Sequence, residues 1–338
     1  MKPIFARAIT IFLAIAAIFA APAKASYVTF DPPTSRFTNP FAINDKGQIT
    51  GYWFDGKLYH GFLREPDGTI TSFDPPNSVA TTPLSITDKG VIAGIYEEDR
   101  DGFDYYHGFI RRPNGSIISY DAPGSGGYTA IQAINQDKSF VGYYEDSQTG
   151  RTHGFVQDAA GNFASFDPPN SLATYNWAIN DGGTTTGYYV YEGAGCGNGV
   201  FGGFVRAPDG TLTTYVIDAG VNPAGINSHD VIAGDYIGDG CHVDGYVRQA
   251  DGKVETFDYP GESCCTYVQG FNKRGTLVGY FMDPQDHVYG YSRTKSGKFT
   301  LIQPAPDVQC EALGINAGGQ ITGWYTDDTG LHGFLYTP

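Results

Sequence analysis

The chain has 338 residues and carries 36 Asp and Glu against 21 Lys and Arg, a formal net charge of −15. So acidic a balance argues against nucleic acid and anionic membrane surfaces as partners, because phosphate recognition needs concentrated Lys and Arg. The 46 glycines, the aromatic content of 14% and the lack of a helical period after residue 25 point to short strands joined by tight turns.

Lys2 and Arg7 open the chain, Ile9 to Ala20 is an apolar run, and Ala23-Lys24-Ala25 offers small residues for cleavage. This pattern predicts a secretory signal peptide over 1–25, an extracellular or periplasmic protein beginning at Ser26, and no membrane association after cleavage. Removing it takes away Lys2, Arg7 and Lys24 and no acid, so the remainder carries −18. That charge suits a soluble secreted protein.

From Phe41 onward one unit recurs. An Asn stands at 44, 135, 180, 227, 272 and 316, with Thr87 in its place once, and the spacing runs from 43 to 48 residues. A glycine follows seven residues after each, from Gly51 to Gly323. Each unit reads as four short strands, exemplified by Phe41-Ala42-Ile43, Gln48 to Trp53, Tyr59 to Leu63 and Thr69 to Asp74. A small residue precedes the last apolar residue of the first strand in every unit: Ala42, Ser85, Ala133, Ala178, Gly225, Gly270, Gly314. Asn-Asp-x-Gly and Pro-Asp-Gly supply the turns. Lys138 occupies a turn-glycine position and predicts a different local turn there.

These units predict an all-β, seven-bladed β-propeller of four-stranded antiparallel blades, a single domain over 26–338. Tyr27-Val28-Thr29-Phe30 is a surplus fourth strand at the start, and the last unit lacks one. The N-terminal strand is therefore expected to complete the last blade and close the ring.

Five cysteines in a secreted chain suggest disulfides. Cys196 and Cys241 fall between strands two and three of adjacent units; Cys264, Cys265 and Cys310 precede strand one. Pairing of like positions predicts Cys196–Cys241 and Cys265–Cys310, with a vicinal Cys264–Cys265 bond or pairing through Cys264 left open. No metal site is expected from spacing.

The recurring Ile43-Asn44-Asp45, Gly51-Tyr52 and His60-Gly61-Phe62 resemble the HAF-type repeat of bacterial extracellular proteins, over nearly the whole chain after residue 25. The resemblance implies secretion and a repeat fold and supplies no catalytic residues.

His60, His107, His153 and His332 share one position on strand three; a hydrogen-bonding role in the fold is expected of them. The aromatics two residues after the repeat glycine, Trp53, Tyr96, Tyr144, Tyr189, Tyr236, Phe281 and Tyr325, are expected to pack between blades. The Gly-rich insertion 191–199 of unit four lacks the Lys and helix of a phosphate loop and reads as a surface loop. Units differ most on the face carrying the strand two–three loops. Glu97, Glu98, Asp99, Asp101, Tyr105, Tyr106, Glu145, Asp146, Asp327 and Asp328 gather there as candidate ligand-binding residues. Acid and aromatic loops suit glycans, a protein or peptide ligand, or calcium. The expectation is a non-catalytic binding protein. The alternative is a carbohydrate-active hydrolase or lyase with an acid and tyrosine site at the channel mouth. Acids with perturbed pKa around one deep axial cavity would favour the enzyme.

Overall fold

The computed structural model describes residues 25–193, 200–261 and 265–338. The expected signal peptide, apart from Ala25, therefore lies outside the described residues, as do Cys196, Cys264 and most of the Gly-rich stretch. The described chain is all-β, with 28 strands and one three-residue 3₁₀ turn, Asp239–Cys241. No helix among the described residues is long and apolar enough to cross a membrane.

Consecutive strands pair antiparallel in groups of four. Unit 1 comprises Phe37–Ile43, Ile49–Phe54, Tyr59–Arg64 and Ile70–Phe73. Units 2 to 6 repeat the plan over 78–120, 125–166, 173–215, 220–257 and 265–302. Unit 7 has three strands, Cys310–Ile315, Ile321–Asp327 and Gly330–Thr337, and the N-terminal Ser26–Phe30 pairs antiparallel with the last of them. Single parallel bridges such as Tyr59 to Ala80 and Tyr106 to Tyr128 join units, and the strands divide into two mixed sheets.

The periodic residues have physical reasons. The first strand of every unit carries a register shift opposite the repeat glycine, for example between Pro40 and Ala42. That bulge thrusts a carbonyl at the second strand. A Cβ on Gly51, Gly142 or Gly279 would fall on the carbonyl oxygen of Asn39, Ala130 or Tyr267, so only glycine fits. The third-strand aromatics Phe62, Phe109, Phe155, Phe204, Tyr246, Tyr291 and Phe334 are all fully buried. Each such ring contributes about 1.5–3 kcal/mol of burial.

The repeat Asn fastens its own turn and the next unit. Asn44 Oδ1 accepts the N–H groups of Lys46 (3.1 Å) and Gln48 (2.9 Å), while its Nδ2 donates to Thr87 O at 2.9 Å. Asn135, Asn180, Asn272 and Asn316 donate likewise to Asn180, Asn227, Asn316 and Asn44. Lys138 does not form a different turn: at φ 71° its N–H meets Asn135 O at 3.0 Å, as Gly47 meets Asn44. The local bond and the Asn side chain hold a lysine in the conformation that glycine adopts elsewhere.

Two further couplings join neighbouring units. His60, His107 and His332 place Nδ1 within 2.7 Å of Asp74, Asp121 and Asp31, and His153 lies equally close to Asp167. Thr38, Thr81 and Thr174 of the adjoining first strands donate to Asp31, Asp74 and Asp167. Arg64, Arg111, Arg206, Arg248 and Arg293 each lie over an aromatic ring of the preceding fourth strand, at 4.3–5.1 Å.

Candidate active site

Three residues before the repeat Asn, each unit turns one side chain inward. Phe41, Leu84, Gln132, Trp177, Ala224, Gln269 and Leu313 line a single cavity of about 230 Å³. Toward the end bearing the strand two–three loops, the next inward position holds Asn39, Thr82, Ala130, Tyr175, Asn222, Tyr267 and Glu311. Opposite these, directly after the repeat glycine, stand Tyr52, Ile95, Tyr143, Tyr188, Asp235, Tyr280 and Trp324. Six of those seven are aromatic or aliphatic. Asp235 is the exception.

Tyrosines dominate this end. Tyr128 stacks on Tyr143 at 5.9 Å, Tyr143 meets Tyr175 edge-on at 4.8 Å, and Tyr175 stacks on Tyr188 at 4.8 Å. Burial pushes Tyr188 up to about 12, so its hydroxyl stays protonated. A cavity of about 350 Å³ lies against Tyr188, Phe201, Asn222, Asp235, Tyr236 and Tyr267.

Two carboxyls are embedded here. Asp235 is 5% exposed; its Oδ1 accepts Val268 N–H at 3.2 Å and its Oδ2 accepts the Asn222 amide at 3.4 Å. Burial outweighs both hydrogen bonds and pushes Asp235 up to about 7. Glu311 is also pushed up to about 7 by burial, against a hydrogen bond from Trp324. Between them Tyr280, stacked on Tyr267 at 4.6 Å, is raised first by burial and then by the charge of Glu311 and Asp235, which places all three in one electrostatic neighbourhood.

The loop acids singled out from sequence are placed mostly on their own turns. Asp99 Oδ1 accepts Gly102 N–H, Asp146 accepts Gln148 and Thr149 N–H, and Asp327 accepts Thr329 N–H and Oγ1–H. Glu98 holds Arg100 at 2.6 Å and lies 3.6 Å from His107. Asp101 and Gly102 are the two left-handed residues of their hairpin, Glu145 and Asp328 are exposed, and Tyr105 lies under Arg100. Glu97 and Tyr106 differ. They face each other across the hairpin, and Tyr106 meets Tyr128 at 4.9 Å, extending the tyrosine row outward. Burial and the charge of Asp104 raise the Glu97 pKa. Among the described residues no three His, Cys, Asp or Glu side chains group to hold a metal ion. The histidines stay apart, each on its own aspartate. Six of the seven strand-two aromatics are buried, and Trp53, Tyr96 and Tyr144 donate to or share a hydrogen bond with Ser72, Ser119 and Ser165.

The expected Cys265–Cys310 bridge is not formed. Cys310 is a buried thiol that donates to Ile302 O at 2.8 Å and accepts Gly290 N–H at 3.3 Å. It stands six residues before its repeat Asn, the place of Thr266, whereas Cys265 stands seven before. Successive strand residues point to opposite faces, so the two sulfurs are misaligned by one position. The Cys196–Cys241 pairing involves a residue outside the described ones.

Neither a family model nor a curated protein matches the chain. Solved structures do. A catalytically inactive virginiamycin B lyase from Staphylococcus aureus with quinupristin superposes with a TM-score of 0.62 at 13% identity, covering 93% of this chain and 100% of that one. A streptogramin B lyase gives 0.59 at 12% identity, covering 93% and 98%. TolB from Acinetobacter baumannii gives 0.51 at 13% identity, covering 77% and 64%. At these identities the likeness establishes the fold, a β-propeller. The expectation of a non-catalytic binding protein is corrected here. Lyases share its fold over 93% of the chain, and two buried carboxyls at one end, of which Asp235 lines a cavity, are pushed up to about 7.

Proposed function

We propose that this chain is an acid–base enzyme of the hydrolase or lyase class, acting on a neutral ring-bearing substrate such as a glycan. The observation that carries this reading is the pair Asp235 and Glu311, each pushed up to about 7 by burial at the same end of the fold and both acting on Tyr280, with Asp235 lining a cavity. At neutral pH such a pair supplies one protonated carboxyl and one carboxylate, which is what general acid–base chemistry needs. In hydrolysis the carboxyl protonates the departing oxygen and the carboxylate takes a proton from the attacking water. In elimination the carboxylate removes the proton beside the leaving group. Tyr175, Tyr188 and Tyr267 offer faces on which a ring can stack. No Lys or Arg lines the cavity at Asp235, which disfavours a substrate charged negatively there.

The seven units are taken as seven blades, closed by the N-terminal strand. The hydrogen bond from Asn316 to Asn44 and the pair His332–Asp31 support this, as does one cavity lined by all seven units. The basic, apolar and small-residue order of residues 1–25 supports export, and the HAF-type resemblance is consistent with it.

The test is turnover of neutral oligosaccharides and of quinupristin by wild type, Asp235→Asn and Glu311→Gln. Each substitution is expected to lower turnover by about 100-fold or more while the protein still melts cooperatively. Undiminished turnover in both variants sinks the assignment.

A further inference from the structure

The opposite end of the fold is built from the short Asn-x-x-Gly turns. Between units 5 and 6 these turns border a cavity of about 680 Å³. Lys273, Arg274, Arg293 and Lys295 all line it, in a chain whose net charge is −15. The sequence source is local: the turn after Asn272 reads Lys-Arg-Gly, where the turn after Asn44 reads Asp-Lys-Gly and that after Asn180 reads Asp-Gly-Gly.

The two carboxylates at the cavity offset only part of the charge of its four cations. Asp251 turns its Oδ1 to its own hairpin, accepting Lys253 N–H at 3.0 Å. Glu255 reaches Arg293 Nη2 at 2.6 Å from a largely exposed position. Lys273 bonds Asp45 at 2.5 Å, outside the cavity lining. Arg274 and Lys295 are exposed and form no salt bridge among the described residues. Arg293 is 7% exposed and packed on Phe257 at 4.3 Å, and its Nε lacks a hydrogen-bond partner as do those of the equivalent Arg64 and Arg111. A guanidinium fixed by packing beside two exposed cations is an arrangement suited to an oxyanion. Phe271, Val231 and Val247 add an apolar wall for the rest of a ligand larger than a bare ion.

We propose that this cavity binds a small organic anion, a phosphate or sulfate ester of sugar size, held by Arg274, Arg293 and Lys295 and packed on Phe271. The site lies at the other end of the propeller from Asp235, so it is independent of the catalytic reading. Titration calorimetry on the purified protein tests it with glucose 6-phosphate, glucose 6-sulfate and inorganic phosphate as probes. At least one ester is expected to bind saturably, and the double variant Arg274→Ala/Lys295→Ala to weaken it by about tenfold or more. Both side chains are exposed, so the variant retains the fold; a thermal melt checks this. A preference between the esters identifies which oxyanion is recognised. No saturable binding by either ester, equal affinity of the variant, or inorganic phosphate binding as tightly as the esters overturns the proposal.

Discussion

At Asp235 the loss of water opposes ionisation more than Val268 N–H and the Asn222 amide favour it. The folded chain therefore holds a proton between about pH 4 and 7 that the unfolded chain has released. Unfolding free energy falls as pH rises through that window, and Glu311 acts with the same sign. His60 and His332 add to the trend. Desolvation lowers their pKa, but the hydrogen bonds and charges of Asp74 and Asp31 outweigh it and leave both raised. Their stabilisation is present below about pH 6.5 and is lost as pH climbs through their raised values. Melts at pH 5, 6.5 and 8 are expected to give a falling transition temperature, with a shallower fall for Asp235→Asn. A rise from pH 5 to 8 would contradict the burial argument. Cys310 makes a second prediction. Burial pushes its thiol up to about 12, so it should resist a thiol reagent in the native protein and react once unfolded. Asp235 was hidden in the sequence because a carboxylate on a strand looks the same whether solvated or desolvated. Aligning the units by their repeat glycine exposes the signal: one Asp where the other units carry Tyr, Ile or Trp.

The strands were legible because each rests on a local rule that repeats. Gly279 illustrates the rule and its cost. The bulge in Cys265–Phe271 brings the Tyr267 carbonyl to where a Cβ would sit. Gly279→Ala is expected to cost about 3 kcal/mol or more, because the contacting atoms of Tyr267 and Val268 belong to paired backbone and cannot swing away. Denaturant unfolding measures this, and a loss below about 1 kcal/mol would mean that the strands part easily. The arginine stack was not legible. Arg64, Arg111, Arg206, Arg248 and Arg293 recur in sequence, but their partners belong to the preceding unit's fourth strand, a relation that only the packing of one unit on the next creates. The loop acids show a related point. Asp99, Asp146 and Asp327 are acids in variable loops, and each caps its own hairpin; short turns need such a carboxylate whether or not a ligand exists.

Across the whole molecule, the surplus strand at one end of the chain and the missing one at the other foretold the pairing of Ser26–Phe30 with Gly330–Thr337. That strand joins three units. Tyr27 accepts Gln303 N–H at 3.1 Å from unit 6, Thr29 shares a hydrogen bond with Tyr325 of unit 7, and Phe30 packs on Phe62 of unit 1. Asp31, just beyond, holds His332 at 2.7 Å and accepts from Thr38. Deleting residues 26–33 would thus remove the fourth strand of unit 7, strip one ring from the face of unit 1 that Arg64 covers, and expose a bare edge beside Gly333. Phe30 alone is worth about 3 kcal/mol on the scale of buried phenylalanines. The deletion is expected to lower the transition temperature on the order of 10 °C or more and to promote association through the freed edge. Size-exclusion chromatography and calorimetry of the truncated protein check both effects. A truncated protein that stays monomeric and melts with the full-length chain would mean that the last unit stands without its fourth strand.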